Sequence, residues 1–195
     1  PSSNPFNGTV TITAANAGAP LFKQTGSGKY TIEKLILSGN KASVTRTEPL
    51  ISVGAGTLRL GDQASVQDAK ISANDKGAAV DIKGGTLQME DGSKVNGNES
   101  ATGGRGAINF ESGGFKLAGG KLSGGASNIQ VTGNTDGENK PSNVFVAAGK
   151  KLSVMQSIAG SSIGVSVKSD NLPTAFNGVG TPTAAQEKNF AEPGS

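Results

Sequence analysis

The segment "GTLRLGDQASV" (Gly56–Val66) returns as "GTLQMEDGSKV" (Gly85–Val95), 29 residues further along the chain. Both copies begin with Gly and place apolar residues at alternate positions, as Leu87 and Met89 show in the second copy. Alternation with a period of two is typical of a β-strand and not of a helix. Because a fixed repeat constrains the architecture of the whole chain, this pair of segments indicates a repeat fold built from short strands.

Each repeat contains three short apolar sequence motifs, called words here, in a constant order. With Φ for an apolar residue, they are G-x-Φ-x-Φ, then Φ-x-G-N ("LSGN", "ISAN", "VNGN", "VTGN"), then Φ-x-Φ-x-G-G ("AAVDIKGG"). The cycles begin near Gly28, Gly56, Gly85, Gly114 and Gly149, at spacings of 28, 29, 29 and 35 residues. The longest spacing indicates an insertion, and "NTDGENKPSN" (Asn134–Asn143) is its expected place.

Three short strands in each cycle cannot bury an apolar face alone. Stacked cycles can, because equivalent strands then lie about 4.8 Å apart in continuous parallel sheets. Parallel crossovers are right-handed almost without exception. The sequence therefore predicts an all-β fold, a right-handed three-sided parallel β-helix (β-solenoid) of about five to six turns, with irregular N- and C-terminal caps.

The ends of the chain depart from the repeat. We expect residues 1–28 to form an N-terminal cap or first turn, residues 29–171 the solenoid, and residues 172–195 a C-terminal cap or linker tail. Thr183–Phe190 is predicted to form one or two helical turns, with Phe190 facing the core. Such covers are expected because a bare terminal turn exposes unpaired strand edges.

The repeat also predicts which residues share the interior. We expect the apolar positions of the first and third words to stack from turn to turn in a mainly aliphatic core. The third word should place Val80 and Ile82 on Ile51 and Val53. The predicted core positions of the first word are Leu58, Leu60, Leu87, Met89, Phe115 and Leu117.

Four asparagines end copies of the second word: Asn40, Asn74, Asn98 and Asn134. They are predicted to occupy one corner of the solenoid. Two interpretations remain open. Their amides form a hydrogen-bonded ladder along the axis, or each Asn tolerates the left-handed backbone of a turn.

Composition excludes several classes of chemistry. The chain has no Cys and no His, so it cannot by itself build a disulfide, a thiolate or histidine metal site, or a Ser-His-Asp triad. The formal net charge is +3 with charges interspersed, which does not favour nucleic-acid binding. No stretch approaches the ~18 apolar residues of a membrane helix, so no transmembrane segment is expected.

The segments "GGTLQM", "GSKVNGN", "GRGAINF" and "SNVFVAAGKKLSV" resemble repetitive right-handed parallel β-helix surface proteins of bacteria. They are similar in style to the polymorphic outer-membrane proteins of chlamydiae and to autotransporter passengers. The resemblance covers about Gly28 to Asn171 and includes the "GRGAI" part of the chlamydial pattern. It implies a secreted or outer-membrane-associated surface module, either part of a longer protein or a monomeric rod, with structural or adhesive function.

The main alternative is a glycan-active β-helix, a polysaccharide lyase or hydrolase, which needs carboxylates aligned on one sheet. Asp62 and Asp91 stack in the repeat, and Asp81 and Asn109 take adjacent outward positions. Outward positions of a solenoid are polar in any case, so a solvated face explains them equally. The same holds for the outward column of Arg59, Gln88 and Lys116. We expect no enzyme activity.

Three variable loops follow the second word: Lys41–Glu48, Asn98–Arg105 and Asn134–Ser142. They should emerge along one edge of the solenoid, and loops on a rigid scaffold are common recognition sites. "NTDGEN" lacks the Gly and the late Glu of an EF-hand loop, so no metal and no cofactor are expected. We expect a host protein or glycan as partner, contacted by Asn98, Glu99, Arg105, Asn134, Asp136, Glu138 and Asn139.

Overall fold

The computed structural model describes residues 9–119, 128–156, 158, 160–167, 176–178 and 190–191. Within these residues the chain is an all-β parallel solenoid of about five turns, and it contains no helix. None of the described segments is therefore a helix long and apolar enough to cross a membrane.

Most strands in the described residues are short, and three of them continue around a corner. In chain order they are β1 (Val10–Thr13), β2 (Phe22–Gln24), β3 (Lys29–Ile32), β4 (Leu35–Ser38), β5 (Thr45–Arg46), β6 (Ile51–Val53), β7 (Thr57–Leu60), β8 (Ser65–Gln67), β9 (Lys70–Ile71), β10 (Val80–Glu90), β11 (Lys94–Asn96), β12 (Ile108–Ala118), β13 (Gln130–Thr132), β14 (Val144–Val146), β15 (Leu152–Val154), β16 (Ser162–Val167), β17 (Phe176–Gly178) and β18 (Phe190–Ala191).

Sixteen of the described strands form three parallel ladders, one for each word of the repeat, and β5 and β9 form a separate two-stranded ladder. The first-word ladder is β3-β7-β10-β12-β15-β17, the second-word ladder is β1-β4-β8-β11-β13-β16-β18, and the third-word ladder is β2-β6-β10-β12-β14-β16. β10 and β12 each belong to the third-word and first-word ladders because they run through the corner between them. The predicted fold class, a parallel β-solenoid, is confirmed.

The predicted core register is confirmed residue by residue. Leu87 has Leu58 and Phe115 as its Cα partners, and Ile82 has Val53 and Phe110. Phe110 and Phe115 meet edge to face, with ring centroids 6.2 Å apart. The six first-word positions that the sequence assigned to the core are all fully buried: Leu58, Leu60, Leu87, Met89, Phe115 and Leu117.

The corner inside β10 and β12 requires glycine. A Cβ built on Gly85 would lie 2.4 Å from the carbonyl oxygen of Ala55 and 2.7 Å from Cγ1 of Val53. Gly113 has a φ of 86°, in the left-handed region that favours Gly, and a Cβ there would meet the Gly85 carbonyl oxygen at 2.0 Å. Successive turns therefore touch backbone to backbone at this corner, which explains the Gly-Gly pairs of the third word.

The insertion is not where the sequence suggested. Thirteen residues separate Val95 from Ile108, and the same number separates Val131 from Val144, so Asn134–Asn143 adds no length. The step from the first word to the second grows instead, from six residues after Met89 to 14 residues after Leu117. The extra residues lie between Leu117 and Val131, and residues 120–127 of that segment are outside the described residues.

The C-terminal part also differs from expectation at one point. Phe190 begins β18, which pairs in parallel with β16, so it is in a strand and not at the end of a helix. The remainder of the predicted helix, residues 183–189, lies outside the described residues. β17 and β18 carry the first-word and second-word ladders into the segment 172–195.

A buried arginine that the sequence analysis did not identify fastens the N-terminal part of the solenoid. Arg46 is fully buried, and its guanidinium donates to the carbonyl oxygens of Asn16 (2.8 Å), Glu48 (3.0 Å) and Ala19. Burial lowers the pKa of Arg46, and the nearby Glu48 carboxylate opposes that shift. Because buried donors need acceptors, Arg46 ties residues 16–19 to the start of the third word.

Candidate binding surfaces of the solenoid

The Asn corner contains an amide ladder. Nδ2 of Asn98 donates to Oδ1 of Asn134 at 2.9 Å, and Nδ2 of Asn134 donates to Oδ1 of Asn143 at the same distance. Both Asn98 and Asn134 are buried, and Oδ1 of Asn98 accepts the backbone N–H of Ala69 at 3.0 Å. The ladder interpretation is therefore correct at these two positions, and Asn143, which the repeat did not identify, continues it.

The other two asparagines of the predicted corner are not part of the ladder. Asn40 follows β4 in a turn beside Asp68, whose carbonyl oxygen accepts the Lys41 backbone N–H at 2.8 Å, and Asn40 has a φ of 54°, as in the turn interpretation. Asn74 is exposed and lies outside the column. Its assignment was wrong because "ISAN" is not the second word of its turn: Ile71 lies in β9, while β8 occupies the second-word ladder.

The ladder removes Asn98 and Asn134 from the set of candidate binding residues. Nδ2 of Asn98 also donates to the carbonyl oxygens of Val66 and Asn96, and Nδ2 of Asn134 donates to that of Val95. With both amides buried and hydrogen-bonded, they do not face a partner.

The loops that follow the second word start in register along one edge. β5 pairs with β9, and isolated parallel bridges continue this short ladder from Lys70 to Glu99 and from Glu99 to Thr135. Nζ of Lys70 lies 2.7 Å from Oε1 of Glu99. Successive loops therefore leave the rod one above another, at the separation of neighbouring strands. We call this surface, from the second-word corner through Lys41–Glu48, Asn98–Arg105 and Asn134–Ser142, the loop edge.

The remaining candidates on the loop edge are held by local contacts. The Arg105 guanidinium lies 4.6 Å from the ring centroid of Phe145. Oδ1 of Asp136 accepts the backbone N–H groups of Glu138 at 2.9 Å and Lys140 at 3.0 Å. Glu138 and Lys140 are exposed and form an ion pair at 2.6 Å, and contact with Glu138 raises the pKa of Lys140. Asn139 is exposed, with a φ of 60°.

The two later loops are closed at their bases. Ser100 and Ser142 are buried and their hydroxyl groups lie 3.2 Å apart, while Asn134 accepts the Ser142 backbone N–H at 2.9 Å. Arg46 anchors the first loop from inside. The exposed residues of the later loops are concentrated in the turns at 101–104 and 136–140, and Glu99 and Arg105 beside them are half-buried.

The outward face of the third-word ladder is not the solvated face that the sequence suggested. Asp81 and Asn109 are Cα partners, as predicted, but they are only 2% and 0% exposed. Nδ2 of Asn109 donates to Oδ1 of Asp81 at 2.6 Å, and Nζ of Lys83 lies 3.2 Å from Oδ2 of Asp81. Nδ2 of Asn109 also lies 3.4 Å from the carbonyl oxygen of Asp75. The loop that contains Asp75 thus packs over this pair.

Burial raises the pKa of the Asp81 carboxyl group, because the charged form loses water. The hydrogen bond from Asn109 and the charge of Lys83 oppose this shift. Burial acts to lower the pKa of Lys83, but the Asp81 carboxylate together with those of Glu111 and Asp75 raises it overall. Asp81 is therefore a buried acid held by its neighbours in the ladder.

The first-word face carries a second buried carboxylate. Glu90 accepts hydrogen bonds at Oε1 from Nε of Arg59 and from Nε2 of Gln88, each at 2.7 Å. Arg59, Gln88 and Lys116 are neighbours in the outward column, as predicted. Asp62 and Asp91 do not form an equivalent pair, because Asp62 is exposed and Asp91 is buried.

The chain matches no family model, no curated protein and no solved structure. Within the described ranges, no group of three or more Asp or Glu side chains is placed to hold a metal ion.

Proposed function

We propose that this chain is a non-catalytic, structural or adhesive module of a bacterial cell-surface or secreted protein. In this proposal the loop edge binds a protein or a glycan of the host, and the stacked turns supply a rigid rod. The observation that carries the proposal is the short ladder from Lys70 through Glu99 to Thr135, which starts successive loops on one edge. The bacterial surface location rests on the sequence resemblance.

The geometry favours recognition by the loop tips. The turn at 136–140 is fixed by the two hydrogen bonds to Asp136, so its exposed side chains are pre-organised. A rigid loop loses less conformational entropy on binding than a flexible one. The turn at 101–104 lies beside it, since a Cβ on Gly137 would lie 2.6 Å from Oγ1 of Thr102. The two tips therefore form one contiguous surface.

The buried carboxylates favour a binding module over a glycan-active enzyme. A catalytic pair must reach a substrate and exchange protons with it. Asp81 is enclosed by Asn109, Lys83 and the Asp75 loop, and Glu90 is held by Arg59 and Gln88. Both carboxylates act as acceptors for neighbouring strands.

The experiment replaces the two tips. Asp136–Lys140 and Ala101–Gly104 are exchanged for short Gly-Ser turns, separately and together, with the flanking Asn134 and Ser142 retained. Binding to host cells, matrix proteins and a glycan array is then compared with the unaltered chain. We expect loss of binding with unchanged circular dichroism. A matched control exchanges Ala147–Ala148 for Gly-Ser, because this turn, half-buried at Ala147 and exposed at Ala148, follows the third word at a different corner.

Binding that survives replacement of both tips would rule out the loop edge as the recognition surface. Loss of binding in the Ala147–Ala148 control would rule it out equally, because the effect would then not be specific to the edge. Surface location is tested separately, by labelling intact cells with an antibody against the domain.

A further inference from the structure

Two hollows lie on the outer face of the second-word ladder, where β4 and β8 run side by side. The larger has a volume of about 360 Å³ and its wall includes Ile36, Asp62, Gln63, Gln67, Lys94 and Asn128. The smaller has a volume of about 230 Å³ and is formed by Ser38, Asn40, Lys41, Ala42 and Asp68. The smaller hollow includes Lys41 and Ala42, at the start of the first loop of the loop edge, but neither hollow includes the loop tips at 101–104 and 136–140.

The hollows are the two ends of one strip. Ile36 is the Cα partner of Ser65 and Ser38 that of Gln67, so the outward side chains of β4 and β8 lead from one hollow to the other. Nε2 of Gln67, in the larger hollow, lies 3.2 Å from Oδ2 of Asp68, in the smaller. At about 3.3 Å per residue, the distance from Gln63 to Asp68 is roughly 16 Å. We call this surface the β4–β8 strip.

Backbone strain is concentrated around the same two strands. Of the five non-glycine residues with positive φ in the described part of the chain, four flank β4 or β8: Lys34 (51°), Asn40 (54°), Gln63 (56°) and Asp68 (53°). Side chains rarely adopt this left-handed conformation, and such residues cluster at binding sites, where the surrounding structure holds them.

Later turns of the same repeat place glycine at these left-handed positions. Gly92 (φ 80°) follows Gln63 in the stack, and Gly97 (67°) and Gly133 (66°) follow Asp68. The turns that contain β4 and β8 therefore keep side chains at positions where the later turns have glycine. Gln63 lines the larger hollow and Asp68 the smaller. A requirement for those side chains explains why glycine is absent.

The chemistry of the strip is polar, uncharged overall and able both to donate and to accept. Each hollow has one carboxylate and one ammonium group, Asp62 with Lys94 and Asp68 with Lys41. Amides and hydroxyl groups line the remaining polar wall, and Ile36 adds an aliphatic patch. Sugar hydroxyl groups donate and accept in the same way, and the apolar face of a sugar ring packs on aliphatic groups.

Other partners fit this strip less well. A peptide that adds a strand needs a free sheet edge, but β4 and β8 are each paired on both sides. A polyanion would need an excess of cations, which the two balanced pairs do not supply. We propose that the β4–β8 strip binds an uncharged oligosaccharide lying across the two strands.

The test measures binding of cellotetraose, chitotetraose and mannotetraose to the purified chain, by calorimetry and by NMR of the Gln63 and Gln67 side-chain amides. At least one is expected to bind and to shift both amides. Gln63→Gly and Asp68→Gly should each weaken that binding by about tenfold, because each removes a polar contact. The melting temperature should stay equal or rise, because glycine relieves the left-handed strain.

The matched control is Lys34→Gly. Lys34 has the left-handed backbone that Gln63 has one turn later, so glycine relieves the same strain there, but Lys34 lines neither hollow. It should bind as the unaltered chain does. The proposal is overturned if none of the three tetrasaccharides binds at millimolar concentration, or if both glycine variants bind normally. Binding only of heparin, or only of an extended peptide, would overturn it as well. Exchange of the loop tips should leave tetrasaccharide binding intact, which separates this inference from the loop-edge proposal.

Discussion

At the scale of single residues, Leu87 shows how strictly the stack selects side chains. It is fully buried between Leu58 and Phe115. Leu87→Asp would place a charge without a partner in this column, and we expect a loss of about 4 kcal/mol or more in the free energy of unfolding. Urea unfolding followed by circular dichroism measures it. The control Lys116→Asp lies on the half-buried outward column and should cost far less; equal losses would contradict the register.

Asn98 gives a second prediction at this scale. Alanine fits the column, because Ala69 occupies the same corner one turn earlier. Asn98→Ala nevertheless leaves the Ala69 backbone N–H and the Asn134 Oδ1 with fewer partners, at a cost of about 1–3 kcal/mol. Asn74→Ala, at an exposed position outside the ladder, should change stability by no more than about 0.5 kcal/mol. Chemical denaturation of both variants compares them, and similar values would argue against the ladder.

The raised pKa of Asp81 leads us to expect that the free energy of unfolding depends on pH. The pKa of this carboxyl group is raised in the folded protein above the usual value of 3.8, so the folded state is favoured while the carboxyl is protonated. That stabilisation is complete below the unfolded-state pKa and is lost as pH rises through the folded-state pKa. Asp81→Asn cannot ionise, so it should gain stability relative to the unaltered chain over this window. Unfolding free energies measured from pH 3 upward, at roughly one-unit steps, test this; a gap that narrows with rising pH would contradict it.

At the scale of elements, the corner inside β10 illustrates why the strands repeat so regularly. Gly85 lies against the Ala55 carbonyl oxygen, and backbone cannot move aside as a flexible side chain can. Gly85→Ala should therefore cost about 1–3 kcal/mol, as overpacking does. Gly26→Ala is the matched control, because a Cβ there meets no atom within 4 Å. Thermal unfolding distinguishes the two, and an equal effect would mean that the corner is not tightly stacked.

At the scale of the whole molecule, the solenoid is a chain of nearest-neighbour contacts, since each turn packs on the turn before and after it. One consequence is visible at the N-terminal end. Ile12 and Tyr30 have the core residues Leu37 and Leu58 as Cα partners, yet they are 45% and 52% exposed. Val10, which pairs with the partly buried Leu35, is 48% exposed. Within the described residues, these columns of stacked side chains begin at β1 and β3, where no earlier turn covers them. In the middle of the solenoid the side chains of the same columns are buried.

Stability at this scale is expected to come from stacking and not from a bound ion. The carboxylate of Asp136, in the most acidic loop, already accepts two backbone N–H groups. Treatment with EDTA should therefore leave the melting temperature unchanged. A rise of many degrees on addition of Ca²⁺ would contradict this prediction and would point to the loop at 136–140.

The sequence by itself determined the fold class and most of the core. A period of 29 residues with alternating apolar positions leaves parallel stacking as the only way to bury Leu58, Leu87 and Phe115 together. For the same reason the pairs along the first and third words could be assigned without coordinates. The Gly-Gly pairs could also be assigned to corners from the sequence, because close stacking of the backbone excludes a side chain there.

Only the tertiary structure showed where individual copies of a word depart from the repeat. "ISAN" matches the second word by its letters, but Asn74 is exposed because β8 fills that ladder. The insertion lies between Leu117 and Val131, since strand pairing and not spacing alone sets the register.

The burial of side chains that point away from the core could likewise not be predicted from the sequence. Asp81 points away from the core, and a residue in that position is solvated unless another segment covers it. The loop that contains Asp75 does cover it, and the packing of a loop depends on contacts that no short repeat encodes. The β4–β8 strip arises in the same way: Gln63 and Asp68 differ from the glycines of later turns, but only stacking brings them onto one surface.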